Sequence, residues 1–341
     1  MESMFFPFLL IIFASVFQGS FGLGMKYMAP LKWESWWLVH VTIAMIILPL
    51  AWAFIAVPDL AGVLSTSFSD PSMQSVVFIA MLFGFLWGIG GILFGVSVPY
   101  IGLSLTMGIV MGLAGSIGAL IPLLRMEDSS SLPQFPYVIV GLAITLVGVA
   151  ITAKAGINKD KMTSETSGQK SNILKGILIA VSCGVLSALL NVGFVEAAPI
   201  AKLAEVMGAI DRNASLAAWV VVLIGAFIMN AGYAIFLLSK NKTWSSFKVK
   251  GSAKAYRWAI LASIFWFGAL GIYGQGAALI GPIGGVIGWP MLLGLSLIVS
   301  NFWAYRAGEW KGAAKPFRLL IVGLAVLILA SIILGYSNTV Q

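Results

Sequence analysis

Charge is what this chain has least of. Only 9% of its 341 residues are Asp, Glu, Lys or Arg, against roughly 25% in ordinary soluble domains. Cysteine is almost missing too: the lone Cys183 excludes an internal disulfide and any cysteine-based zinc site. His40 is the one histidine. No Ser/His/Asp set, metal-ligand cluster or phosphate loop is visible, so neither an enzyme site nor a bound metal or cofactor is expected. Glycine is plentiful but follows no fixed period, which rules out a collagen-like chain. What fills the space is apolar: 60% of residues are hydrophobic, and the mean hydropathy is +1.01. A water-soluble fold cannot hide that much apolar surface. The expected class is an all-α membrane protein in a lipid bilayer.

Ten segments are long and apolar enough to cross a bilayer, at approximately 4–24, 36–57, 74–97, 100–124, 136–154, 172–195, 214–239, 257–279, 283–303 and 316–336. They are numbered as spans 1 to 10. Glu2 stands where a signal peptide would carry basic residues, and no small-residue cleavage pattern precedes Met25, so span 1 is expected to stay. The net charge of +8 does not form a nucleic-acid patch. Seventeen of the 20 Lys and Arg residues fall in the odd-numbered loops; only Arg125, Lys202 and Arg212 fall in the even ones. Basic loops favour the cytoplasm, so both termini are expected outside.

The basic stretch Lys154 to Asn172, with Ser164, Ser167 and Gly168, reads as a linker over 156–171 between halves 1–155 and 172–341. Five spans per half would set the halves in opposite orientation, the inverted-repeat plan of many secondary transporters. Trp87-Gly-Ile-Gly-Gly-Ile in span 3 echoes Phe267-Gly-Ala-Leu-Gly-Ile in span 8. Gly84 and Gly88, Gly91 and Gly95, and Gly108 and Gly112 stand four apart, the spacing that lets helix backbones approach. They serve either a moving interface or static packing. Gly88-Ile-Gly90 is no dinucleotide fingerprint, because no strand precedes it.

Several runs resemble bacterial L-rhamnose–proton symporters of the drug/metabolite transporter superfamily. They are Phe83 to Ile109, Lys32-Trp33-Glu34 with Trp36-Trp37, Ile46-Ile47-Leu48-Pro49, Tyr273-Gly-Gln275 and Glu309-Trp310. Trp87-Gly-Ile-Gly with the downstream Tyr100-x-Gly-x-Ser104 is the most specific part, and the resemblance spans nearly the whole chain. It implies ten helices in an inverted five-plus-five fold, a bacterial inner-membrane location and a central site for a deoxyhexose taken up with a proton. Sodium is the alternative coupling cation. The oligomeric state is not implied.

A sugar site wants amides and hydroxyls for hydroxyl groups and aromatic rings for C–H faces. Gln275, among Gly271, Gly274 and Gly276 of span 8, is the leading candidate; the alternative is a bond to a neighbouring helix. Tyr273 and Trp87 offer rings, or ordinary aromatic packing. Gln18, Asn191 and Asn230 are amides at mid-depth, of which at least one is expected to be interhelical glue. Trp289-Pro290 is expected to bend or break span 9, either lining the site or as a tolerated kink. A spot where spans 3 and 8 meet the glycine-rich faces of spans 4 and 9 is the expected cavity.

Proton carriers usually place an ionisable group inside the membrane. No acid stands at mid-span. Glu196 at the outer end of span 6 is ranked first, against a solvated helix end. His40, near the inner end of span 2, titrates near neutral pH when unperturbed, but an interfacial or snorkelling histidine is the favoured reading. Glu34 follows, paired with His40 or Lys32. Within the superfamily the competing reading is an exporter or exchanger of metabolites or drugs. A membrane-embedded enzyme lacks paired acids or metal ligands in its spans. A channel lacks a charged or carbonyl filter motif.

Overall fold

The computed structural model describes residues 5–163 and 173–340. Among the described residues the chain is all-α, with ten helices long and apolar enough to cross a membrane: Phe6–Tyr27, Trp33–Ala56, Gln74–Ile101, Leu103–Arg125, Phe135–Met162, Ile173–Val206, Asp211–Lys240, Ala253–Ile280, Gly284–Arg306 and Ala314–Ser337. These are spans 1 to 10 of the sequence, and the protein is a multi-pass membrane protein. Phe54, Ile55, Phe78 and Leu178 all lie exposed on them. Outward apolar side chains of this size suit lipid, not water.

Local chemistry sets the breaks. Gly102, at φ +82°, is the one residue between spans 3 and 4, a conformation that only glycine adopts without cost. Span 2 carries a π-helical turn over Ile43–Ile47, in which the Leu48 N–H reaches back to the Ile43 carbonyl. Pro49 follows at once. Its missing N–H and its ring disturb the regular ladder here, and the wider turn absorbs the mismatch.

Three boundaries differ from the sequence reading. Span 6 pauses at Ala197 and resumes as Ala198–Val206, because Pro199 fits a new first turn. A short helix, Leu60–Ser69, stands in the second loop; the Asp59 carboxylate caps it by accepting from the Gly62 N–H at 3.0 Å. The fifth helix runs on to Thr163, so residues 156–163 of the expected linker are helical. Ser164, Ser167 and Gly168 lie outside the described residues.

The chain forms two compact units. The first joins Met1–Gly88 to Gly193–Pro282, and so holds spans 1, 2, 7 and 8, the start of span 3 and the end of span 6. Within it spans 3 and 7 cross in close contact. A Cβ on Gly84 would strike the Val222 carbonyl, and one on Gly225 the Met81 carbonyl. Gly88 sits against Met229 and Asn230 in the same crossing. Span 8 leans on span 1 where Gly268 meets Phe17 and Gly276 meets Pro7 and Ile11. The second unit joins Ile89–Val192 to Ile283–Gln341. There span 5 packs on span 10 through Gly141 and Gly148, which face Leu334 and Leu327. Gly108 and Gly112 face Ala153 and Val149 of span 5. Among the three glycine pairs, Gly91 and Gly95 alone have open space where a side chain would go.

Candidate functional site

The first unit gathers an aromatic ring around His40. Trp36, Trp37 and His40 lie within one and a half turns of span 2, so helical spacing alone brings Trp36 and His40 over one another. Their planes are stacked, with centroids 5.3 Å apart and 13° between them. Phe21, at the end of span 1, is stacked with the imidazole at 6.4 Å. Trp37 approaches at 5.2 Å and tilted. Trp266 of span 8 meets it edge-on at 6.4 Å. Trp87 of span 3 in turn packs against Trp266 at 5.5 Å. Four spans of the unit thus contribute rings. His40 retains only 1% exposure because span 8 closes over it, so its ring is packed in the fold and does not reach out to solvent.

Ser263, one turn before Trp266, fixes the ring. Its hydroxyl oxygen lies 2.8 Å from the Ala259 carbonyl of its own helix and 3.1 Å from His40 Nδ1. The His40 carbonyl is also 3.1 Å away. A serine has one proton to give, and the shortest contact is to Ala259. The oxygen then accepts from Nδ1–H. Neutral His40 is left with its lone pair on Nε2. That atom is buried and has no hydrogen-bond partner among the described residues.

Two more polar atoms nearby are in the same condition. Trp36 Nε1 is buried without a partner. So is Gln18 Oε1, on the face of span 1 that buries Ile11, Ala14 and Ser15 and one turn before Phe21. Each unpartnered buried group costs about 1–3 kcal/mol. A polar solute would relieve that cost, and the rings would cover its apolar faces.

Asn230 adjoins this neighbourhood. Its Oδ1 accepts from Trp37 Nε1 at 3.2 Å, and its Nδ2 donates to the Ala226 carbonyl of its own helix at 2.9 Å. Trp87 and Asn230 are therefore joined to the His40 ring through Trp266 and Trp37, and Gln18 stands one turn before Phe21 on span 1. The other candidates stand elsewhere. Tyr273 is fully buried against Phe194 and Trp219. It is seven residues past Trp266, about 10 Å along the helix axis. Gln275 is half-buried near the same end of span 8, beside Gly274 and Gly276.

Asn191 and Trp289 belong to the second unit. Asn191 Nδ2 donates to the carbonyls of Gly118 at 2.9 Å and Gly285 at 3.0 Å, tying span 6 to spans 4 and 9. Trp289 Nε1 donates to the Ala114 carbonyl at 3.0 Å. Pro290 does not break its helix, which runs unbroken over Gly284–Arg306. Gly115 and Gly118 of span 4 lie close against Pro290 and Trp289, so neighbouring backbone packs where the proline loosens the ladder.

Glu34 opens span 2. Its Oε1 accepts from Thr243 Oγ1 at 2.5 Å and Asn241 Nδ2 at 3.2 Å, and Ser35 bonds Ser246 beside it. The described hydrogen bonds of Glu34 thus run to the seventh loop, not to His40. Glu196 ends the long segment of span 6 and is half-buried.

Ser263, Trp266 and Phe21 were not singled out from the sequence. A signal existed for two of them. Ala259, Ser263, Trp266, Leu270 and Tyr273 are all buried and follow a repeat of three and four along span 8. A serine inside such a stripe asks for a partner.

A family model described as L-rhamnose-proton symport protein matches residues 4–339. The L-rhamnose-proton symporter of Mannheimia succiniciproducens is 29% identical over 321 residues, 91% of this chain and 91% of that protein. The protein of the same description from Yersinia pestis is 28% identical over 313 residues, 89% of each chain.

Proposed function

The chain belongs to the L-rhamnose-proton symport protein family, a family of transporters and not of enzymes, and on that premise we propose that it imports a small neutral sugar, L-rhamnose first, together with a proton across the bacterial inner membrane. The observation that carries this reading is the His40 ring: the chain's one histidine, buried within the bilayer span, joins a titratable atom to stacked aromatic faces and unpartnered polar atoms. Sugars stack their C–H faces on aromatic rings, and a proton needs a group that can hold it.

His40 is our proton carrier, ahead of Glu196 and Glu34. Trp87, Gln18 and Asn230 are the sugar contacts we favour from the sequence candidates. Gln275 and Tyr273 would serve a second position, further along span 8 than one monosaccharide reaches from Trp87. Asn191 and Trp289 have carbonyl partners in their own unit, which supports a packing role for both.

The inverted five-plus-five plan, with halves 1–155 and 172–341, draws support from the compact units. Spans five apart share a unit: 2 with 7, 4 with 9, and 5 with 10. The distribution of basic residues supports a cytoplasmic linker and periplasmic termini.

Purified protein titrated with L-rhamnose, other deoxyhexoses and hexoses tests the substrate class. Tryptophan fluorescence and thermal shift both report on a ring of this composition. L-rhamnose should give a saturable change. No response to any neutral sugar, with stabilisation by lipophilic cations instead, would favour an exporter of the same superfamily.

A further inference from the structure

We propose that Ser263 is a positioning residue for transport, and that the sugar and the proton meet at one atom, His40 Nε2. The inference deepens the symport reading and rests on it. Holding Nδ1–H on the Ser263 oxygen gives the imidazole one fixed tautomer. Nε2 is then the atom that takes up the incoming proton. Once protonated, Nε2–H is a buried donor with no acceptor among the described residues. A sugar hydroxyl oxygen supplies the missing acceptor. The nearly parallel faces of Trp36 and Phe21 further favour the cation.

No carboxylate takes that place in the described contacts of the ring. The other titratable groups on the elements packed around it are Lys32 and Glu34 at the start of its own helix, Lys26 and Tyr27 on span 1, Asp211, Arg212, Tyr233 and Lys240 on span 7, and Lys254, Tyr256, Arg257 and Tyr273 on span 8. Glu34 is engaged by Thr243 and Asn241. The side-chain hydrogen bond drawn for the imidazole runs to Ser263. The substrate therefore completes the site electrostatically. By linkage, a proton on His40 strengthens sugar binding, and bound sugar draws a proton onto His40 by the same factor. A sugar hydroxyl can donate to neutral Nε2 or accept from protonated Nε2–H, and the charge-assisted bond to the protonated form is the stronger, which is how coupling would arise without a mid-span acid.

Full-length protein in detergent and in vesicles tests this with Ser263→Ala, Ser263→Thr and His40→Gln. The readouts are L-rhamnose affinity across pH and proton uptake on sugar addition in weak buffer. The wild type should bind more tightly as pH falls and take up protons with sugar. Ser263→Ala removes the hydroxyl that Nδ1–H donates to and leaves the imidazole the Ala259 carbonyl, which loosens its hold on one tautomer. It should lose about 5–10-fold in affinity at low pH and flatten the pH profile. Ser263→Thr keeps a hydroxyl that can bond the carbonyl four residues back, and should restore both. A merely structural serine would leave the profile of Ser263→Ala unmoved, and that result overturns the inference. His40→Gln separates this from the wider reading. If it keeps the wild-type profile and proton uptake, His40 is not the carrier and both fail. If it abolishes them while Ser263→Ala does not alter them, only the role of Ser263 falls.

Discussion

Trp87 and Gln275 divide the substrate-site question at the scale of single residues. Both stood out in the sequence, one as a ring in a glycine-rich span and one as an amide between glycines. Trp87 packs on Trp266 beside His40, while Gln275 lies near the other end of span 8. With the sugar at the ring, Trp87→Leu should weaken L-rhamnose binding about 2–10-fold, the scale of one aromatic contact of ~0.5–1.5 kcal/mol. Gln275→Ala should stay within about twofold. Equilibrium titration of folded variants decides; a larger loss at Gln275 than at Trp87 moves the site outward along span 8. Asn191 gives a stability prediction of another kind. Its two interhelical bonds join spans 4, 6 and 9. Such bonds average about 0.6 kcal/mol in bilayers. Asn191→Ala should therefore cost about 1 kcal/mol in unfolding titrations, with sugar affinity kept. The sequence marked Asn191 and Asn230 alike as mid-span amides. What each one ties together depends on the groups across from it, carbonyls of spans 4 and 9 for Asn191 and the Trp37 indole of span 2 for Asn230, and these follow from helix rotation, which no residue type encodes.

Helices were the most legible level. Length and hydropathy alone identify all ten, because a bilayer leaves a spanning chain few other ways to satisfy its backbone. The departures come from local chemistry that hydropathy ignores. Pro199 restarts a helix, Asp59 caps one too short to span, and Pro290 is accommodated because Gly115 and Gly118 bring span 4 against it. The burial of His40 was not legible for a related reason. Its sequence position put it near a span end, but the first turns of span 2 are held in the fold by Glu34 and Ser35 on the seventh loop and are covered by span 8. The four-residue glycine spacing, by contrast, did not distinguish packing from open surface. Gly84 and Gly88 face span 7, and an added Cβ on Gly91 or Gly95 would meet no described residue within 4 Å. Gly225→Val should drive a side chain into the Met81 carbonyl. It should cost more than the ~1–3 kcal/mol of an overpacked core, since a backbone must move. Gly91→Ala should be tolerated. Thermal aggregation profiles of the two variants compare them directly; equal stability would remove the span 3–span 7 crossing from the packing of the first unit.

Across the whole molecule, the basic residues predict orientation. A membrane-impermeant thiol reagent should label a cysteine placed at exposed Thr339 in intact cells and miss one at exposed Ser245. Native Cys183 contributes little background, since it is buried and donates to the Gly90 carbonyl. The reverse pattern would invert the topology. The mode of transport was legible only through family resemblance. Composition set the membrane and the spans, but nothing in a residue count announces that a histidine will be ringed by tryptophans from separate helices. Sugar–proton symport can be read in vesicles. The most direct measurement is L-rhamnose uptake into vesicles holding the purified protein, under an imposed inward pH gradient and, separately, an inward sodium gradient. Accumulation against the sugar gradient should follow the pH gradient and collapse with a protonophore. Accumulation that follows sodium and ignores pH would contradict it.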